Sequence, residues 1–252
     1  MISFDIITLF PGIFESPLQE SIIHKAQQKG LVHITVHDLR DYTADRHRTA
    51  DDTPYGGGAG MVMKAEPIIT AIEAIKLGTA STRTVLLTPQ GSAFNQKTAQ
   101  RLHAYSRIIL VCGRYEGVDE RVLSFVDEEI SIGDYILTGG EIAAMAVVDT
   151  ISRLVPGVVG DMNSVLEDTF SRSLLKYPQY TRPSQVRGYT VPEILTSGDH
   201  GKIDRWRRIA AVRKTAQKRP DLLEKAVLTE EEKEIAGKII KSERVECDNE
   251  CN

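Results

Sequence analysis

The chain has too little cysteine for a disulfide framework and no apolar run long enough to span a membrane. Its three cysteines are Cys112, Cys247 and Cys251, and the two in the polar tail at residues 247–252 are too few for a zinc site. Every apolar run stays well short of the ~20 residues that cross a bilayer. The segment Met1–Phe10 lacks a basic leader, so we expect a strand there and not a signal peptide. These absences predict a cytoplasmic protein.

Sequence signatures of the common phosphate and zinc sites are also missing. No Gly-x-Gly-x-x-Gly follows a predicted strand, and neither a P-loop nor a His-Glu-x-x-His helix is present. The usual dinucleotide-binding fold is therefore not expected. If the chain binds a nucleotide-like ligand, it does so through a different geometry.

Basic residues are outnumbered by acidic ones, and the net charge of −4 at first argues against a nucleic-acid partner. Their distribution argues for one. Residues 173–219 hold eleven Lys/Arg against three Asp/Glu, a net charge of +8, while the segments before and after carry −7 and −5. Basic helices are often only solvated surfaces, but a bias this strong favours phosphate binding.

Strands and helices alternate over residues 1–160, which predicts an α/β fold with a mostly parallel sheet and helices on its faces. The predicted strands are Ser3–Leu9, Val32–Asp38, Thr84–Thr88, Arg107–Cys112 and Glu129–Ile132. The predicted helices are Pro17–Lys29, Glu66–Leu77, Glu141–Leu154, Lys202–Arg219 and Glu230–Val245. The helix at 141–154 is apolar on most sides, so we expect it in a core or an interface. Polar residues 161–172 are predicted to be a linker or mobile lid before a small helical C-terminal domain at 173–246.

Glycine is concentrated in three clusters, at residues 51–61, 113–117 and 131–141. The last two clusters and the loop Thr88–Gly91 follow predicted strands, and ligands of open α/β sheets gather where strands end. Dense glycine lets a ligand lie against the backbone, so we expect a small-molecule pocket there. A tight strand-to-helix turn is the alternative for 113–117. Tyr115 and Tyr135 are either core aromatics or the walls of a purine site.

Several charged residues have both a structural and a functional interpretation. Asp168, in the polar linker, is either a solvated loop acid or a catalytic carboxylate. Arg153, near the end of the apolar helix, can simply complement the helix dipole. Arg207 and Arg208, with Arg182 nearby, are either solvated or bound to phosphates.

Five long motifs of the chain occur together in one known family. They are Asp45–Met61, Gly113–Arg121, Ser131–Glu141, Arg153–Gly157 and Tyr180–Pro183. As a set they resemble the bacterial tRNA (guanine-N1)-methyltransferase family, TrmD, of the SPOUT class, and the resemblance reaches about Val245. One departure is Ala59, where the family more often has proline; the change removes no functional group.

The resemblance implies a fold and an activity. The C-terminal half of the α/β domain would form a deep trefoil knot, and two copies would form a homodimer with the active site at their interface, with no membrane involved. The enzyme would transfer a methyl group from S-adenosylmethionine to N1 of guanosine 37 of tRNA, next to the anticodon. A magnesium requirement is also associated with the family.

The resemblance also implies roles for individual residues. Asp168 falls on the family's general base and Arg153 on its activating arginine, and no residue is assigned to a metal. The donor would be held by Leu87, Pro89, Gly113, Tyr115, Glu116, Gly117, Ile132, Gly133, Asp134, Tyr135, Ile136, Leu137, Gly139 and Gly140. The residues expected to contact RNA are Arg46, Gly57, Gly58, Arg182, Arg207 and Arg208. A non-catalytic RNA-binding adaptor and a nucleotide-binding metabolic enzyme are the competing hypotheses.

Overall fold

The structure, a computed structural model, describes residues 1–76, 81–160, 168–170 and 172–250, the last eight of these by backbone alone. The chain divides into two compact units, Met1–Met162 and Asn163–Asn252. Most of the predicted lid at 161–172 lies outside the described residues, as do Cys251 and the side chain of Cys247. Among the described residues, none of the helices has the length and apolar character needed to span a membrane.

The first unit is built on a parallel sheet, which confirms the predicted α/β class. Its strands are β1 (Ile2–Thr8), β2 (Val32–Asp38), β5 (Thr82–Ala93), β6 (Arg107–Cys112) and β7 (Glu128–Ser131), in the order β2-β1-β6-β5-β7. Every neighbouring pair in this sheet is parallel. A short antiparallel pair, β3 (Asp51–Asp52) and β4 (Val62–Met63), lies outside it. The trefoil knot remains a prediction.

The central strand β6 shows why the sheet is covered on both faces. Its residues Ile108, Leu110 and Cys112 belong to one buried cluster, and Ile109 and Val111 belong to the other. Side chains alternate between the faces of a strand, so a continuously apolar strand needs a core on each side. Helices pack on both faces of the sheet and complete the core on each side.

The helices of the first unit are α1 (Ser21–Gln28), α2 (Ala65–Lys76), α3 (Gln96–Leu102) and α4 (Glu141–Ser152). The first predicted helix was wrong at its start, because a 3-10 turn at Pro17–Gln19 precedes α1. The short helix α3 was not predicted, although the Asn95 side chain caps it by accepting a hydrogen bond from the Thr98 amide at 3.1 Å.

The second unit pairs two helices, α5 (His200–Lys218) and α6 (Glu230–Glu250), and carries a hairpin of β8 (Gln185–Val186) and β9 (Tyr189–Thr190). A capping box opens α6. The Thr229 amide donates to Glu232 Oε2 at 2.8 Å, and the Glu232 amide donates to Thr229 Oγ1 at 3.3 Å. The hairpin was not predicted.

Candidate functional site

A cleft of about 560 Å³ opens where β6 and β7 end. It is lined by the segments 113–118 and 131–140 and by residues 88–90 of β5. The predicted end of that strand at Thr88 was wrong, because β5 continues to Ala93 after an irregularity between Leu87 and Ser92. The volume lies within the range of small-molecule sites, which is roughly 300–1,000 Å³.

Two of these loops touch through their backbones at Gly140. The Gly140 amide donates a hydrogen bond to the Gly113 carbonyl at 2.9 Å. A Cβ at Gly140 would lie 2.8 Å from Cys112 Cα and 3.1 Å from the Gly113 nitrogen. Any side chain there would push the loops apart, so glycine is required by a close approach of main chains.

A buried carboxylate at the start of α4 joins the same loops to the end of β1. The Glu141 side chain is only 2% exposed, and its Oε2 lies 3.3 Å from Arg114 Nε. Thr8 Oγ1 donates to Glu141 Oε1 at 2.8 Å. The Arg114 guanidinium also stacks 4.3 Å above the Phe10 ring. Sequence reasoning did not single out this network, because its members come from separate elements.

The first glycine cluster packs on the second. The Glu116 amide donates to the Met61 carbonyl at 3.0 Å, and the Met63 amide donates to the Gly117 carbonyl at 3.0 Å. Partial burial and a hydrogen bond to Asp51 raise the pKa of Tyr115. The two motifs, which are far apart in sequence, are therefore joined through their backbones, although only the second lines the cleft.

The tyrosines of the two glycine motifs are not core residues. Tyr115 is 47% exposed and Tyr135 is 54% exposed, and both line the cleft. Their rings can therefore contact a ligand, which the alternative of ordinary core aromatics does not allow. Just beyond the cleft, hydrogen bonds from Arg121 lower the pKa of Asp119 to about 2.

The structure places the predicted donor-site residues along this cleft, with the exception of Asp134. Their role in donor binding remains a prediction. The lining also includes residues that sequence reasoning did not select, which are Leu86, Thr88, Gln90, Arg114, Val118, Glu120, Leu123, Glu129, Ile130, Ser131, Thr138 and Ala143.

The two predicted catalytic residues are absent from the lining. Arg153 follows the last residue of α4, a helix of 12 residues whose other end, at Gly140, borders the cleft. At 1.5 Å per residue this helix is about 18 Å long, so Arg153 of this chain lies far from the cleft. Asp168 belongs to the second unit, where it accepts a hydrogen bond from Lys176 Nζ at 3.0 Å.

The residues predicted to contact RNA fall into two groups. Arg46, Gly57, Gly58 and Arg182 are exposed. Arg207 and Arg208 are instead engaged inside the second unit. Arg207 lies 5.2 Å from the Tyr177 ring and 3.3 Å from Asp204 Oδ1.

Arg208 links α5 to α6. Its guanidinium forms a bidentate ion pair with Glu232, in which Nη2 donates to Oε2 at 3.1 Å. The same Nη2 donates to the Val227 carbonyl at 3.0 Å. The hydrogen bonds from Arg208 lower the pKa of Glu232. An RNA contact through either arginine would therefore compete with packing within the unit.

The described residues include no group of three or more His, Cys, Asp or Glu side chains placed to hold a metal ion. Cys112 is fully buried, and burial raises the pKa of its thiol well above the ordinary value. A buried, protonated thiol is neither a ligand nor a nucleophile.

Comparison with known proteins gives one consistent result. The family model described as "tRNA (Guanine-1)-methyltransferase TrmD" matches residues 2–225. A protein of Dictyoglomus turgidum is 55% identical over 246 residues, which is 98% of this chain and 100% of that protein. One of Chloroflexus aggregans is 58% identical over 225 residues, 88% of each chain. Both are named tRNA (guanine-N(1)-)-methyltransferase.

Proposed function

Because this chain belongs to the tRNA (guanine-1)-methyltransferase family, we infer that it transfers a methyl group to N1 of guanosine in tRNA, at position 37 next to the anticodon. We propose that S-adenosylmethionine is the donor and that it binds in the cleft of the first unit. The observation that carries this proposal is that residues 88–90 and the two glycine motifs at 113–117 and 131–141 line that one cleft.

The cleft suits this donor in shape and in charge. Its glycine loops expose main-chain donors and acceptors, and Tyr115 and Tyr135 offer ring surfaces to a purine. The charged lining residues are Glu116, Glu120, Glu129 and Arg114, and Arg114 is already paired with Glu141. The unbalanced carboxylates favour a cationic ligand. When bound, S-adenosylmethionine supplies an electrophilic methyl group on a positively charged sulfur.

The acceptor requires a base, for which Asp168 is the candidate. Neutral guanine carries a proton on N1, and a nucleophilic nitrogen appears only when that proton leaves. A positioned carboxylate that takes it contributes typically about 10²–10⁴-fold in rate. In the structure Asp168 is paired with Lys176, so tRNA binding would have to exchange this ion pair for a contact with the purine.

Arg153 would stabilise the negative charge that develops on O6 as N1 loses its proton, by donating N–H groups to that oxygen. Since Arg153 lies about 18 Å along α4 from the cleft of its own chain, the arginine serving a given cleft would come from a second copy. Ile136 and Ile142 are exposed apolar residues at the cleft end of α4, which supports an interface there. We therefore retain the homodimer as part of the proposal.

Magnesium and a cytoplasmic location also stay proposals. The described residues offer no cluster of metal ligands, so no step of the reaction is assigned to magnesium. The substrate, tRNA, is the reason to expect the protein in the cytoplasm.

The direct test is to incubate the protein with labelled S-adenosylmethionine and a tRNA transcript and to map the methylated nucleoside. We expect label on N1 of guanosine 37, and none on a matched transcript with adenosine at that position. Donor binding, measured by calorimetry, separates an enzyme from an RNA-binding adaptor. A protein that binds donor but labels a different nucleoside would refute the proposed acceptor.

A further inference from the structure

A two-residue turn gives the second unit a small hairpin with an arginine at its tip. Gln185 pairs with Thr190 and Val186 pairs with Tyr189. Arg187 and Gly188 connect the strands with positive φ angles of 52° and 86°. Positive φ at both central residues is the geometry of a type I′ turn, which matches the twist of the strands. The turn therefore holds Arg187 at the apex.

The tip of this hairpin exposes side chains that proteins usually cover. Every residue from 179 to 190 is exposed. Val186 is 53% exposed and Tyr189 is 83% exposed. Directly paired residues share one face of a two-stranded ribbon, so these two side chains form an apolar patch beside Arg187. An uncovered ribbon of two strands gains little stability by itself, which points to a role in binding.

The base of the same segment is fixed on helix α5. The Tyr177 ring lies 5.2 Å from the Arg207 guanidinium carbon, and the Tyr180 and Trp206 rings lie 6.4 Å apart. The Val191 amide donates to the Ser184 carbonyl at 2.9 Å and closes the hairpin. The tip is thus an exposed element on an anchored base.

The two arginines of the hairpin segment, unlike Arg205, Arg207 and Arg208 of α5, are not neutralised by a carboxylate of the described residues. Residues 177–192 contain Arg182 and Arg187 and no acidic residue. Neither arginine forms an ion pair with any residue that the structure describes. On and beside α5, by contrast, cations are paired with carboxylates, as in Lys202–Asp199, Arg205–Glu231, Arg207–Asp204, Arg208–Glu232 and Arg219–Asp221.

We propose that the hairpin at 184–191 is a tRNA-contacting element of the second unit. Arg182 and Arg187 bind backbone phosphates, and Tyr189, with Val186 beside it, stacks on an unpaired base. This inference rests on the proposed function and assigns the tRNA contact to the hairpin in place of the α5 arginines. Cations without acidic neighbours attract a polyanion, and an exposed aromatic ring accepts a base of any sequence. The combination fits RNA better than a protein surface.

The experiment measures tRNA affinity of the full-length protein across a salt series for Arg187→Gln and Tyr189→Ala. Removing one phosphate contact should reduce the slope of log affinity against log salt by about one. Loss of stacking should weaken binding about tenfold at every salt concentration. Tyr189→Trp should retain binding. Arg205→Gln, which removes an exposed but paired cation of α5, is the matched control and should leave both affinity and slope unchanged.

Steady-state kinetics distinguish a binding role from a folding defect. The hairpin variants should raise KM for tRNA while KM for the donor and the unfolding temperature stay at wild-type values. Unchanged tRNA affinity and salt slope in both variants, with wild-type protein that methylates tRNA, would overturn the hairpin assignment alone. A changed oligomeric state at unchanged tRNA affinity would overturn it too, since the patch would then be a protein contact. Failure of the wild-type protein to methylate tRNA would instead refute the proposed function.

Discussion

Glu141 has the most buried charged side chain among the described residues of the cleft region. Its carboxylate is the common acceptor for Thr8 at the end of β1 and for Arg114 in the loop after β6. A buried ion pair adds little net stability, because both charges lose their water. Removing one partner is nevertheless costly, because it leaves the other charge buried and unpaired. We therefore predict that Glu141 acts on ligand binding through Arg114 and the loop geometry, as a positioning residue.

We expect Glu141→Gln to weaken donor binding about tenfold, which corresponds to about 1.4 kcal/mol. The amide keeps the shape of the side chain but not its charge, so Arg114 loses its counterion. Calorimetry with S-adenosylmethionine and thermal unfolding are the measurements. Glu128→Gln is the matched control, because Glu128 pairs with Arg83 and Arg101 at the opposite ends of the strands. Equal losses of donor affinity in the two variants would contradict the role of Glu141.

Asp168→Asn should lower kcat at least a hundredfold and leave donor affinity unchanged, if Asp168 removes the N1 proton. An amide cannot accept that proton. The donor cleft is lined by residues of the first unit, whereas Asp168 belongs to the second. Asp221→Asn, at an exposed carboxylate paired with Arg219, is the control. Near-normal turnover of the Asp168 variant would exclude this residue as the base.

At the scale of elements, a close approach of two backbones makes Gly140 a sensitive position of the cleft. We expect Gly140→Ala to weaken donor binding at least tenfold, because its Cβ would meet Cys112 Cα and the Gly113 amide. Gly12→Ala is the control, because a Cβ there would have no neighbour within 4 Å. The donor affinity of both variants is measured by calorimetry. Wild-type affinity in Gly140→Ala would contradict the prediction, because it would show that the loops separate at little cost.

The elements that could be predicted from the sequence are those with a buried face. Strands β2 and β6 match their predicted ranges residue for residue, because long apolar or alternating runs between polar turns are typical of buried strands. The hairpin could not be found this way, since its strands are two residues long and exposed on both faces. The helix α3 is also too short to establish a helical period.

Only part of the candidate site could be predicted from the sequence. The glycine-rich loops could be assigned to one edge of the sheet, because they follow strands and parallel strands end at the same edge. The pairs Glu141–Arg114 and Glu232–Arg208 could not, because the two residues of each pair lie more than twenty positions apart in the sequence. The same pairs explain why the charge count alone overestimates the free positive charge of α5.

For the whole molecule, the proposed homodimer makes a prediction that no single chain can satisfy. If the arginine at one cleft comes from a second copy, Arg153→Gln and Gly140→Ala should complement each other when refolded together and assayed at a donor concentration far below the Kd of the Gly140→Ala variant. Half of the dimers would be mixed, and each would hold one intact site, so about a quarter of wild-type activity should return. The control is a mixture of the same variants refolded separately. Absence of recovery in co-refolded, dimeric protein would place Arg153 and the cleft in the same subunit.

The main-chain contact at Gly140 has a consequence for inhibition. A compound that lies on this part of the cleft touches atoms that every amino acid shares, so a codon change cannot remove what it recognises. Adding a side chain at Gly140 would force apart the backbones that form the proposed donor site. If the donor binds there, resistance by substitution at Gly140 would also weaken donor binding, and escape would have to arise elsewhere in the pocket.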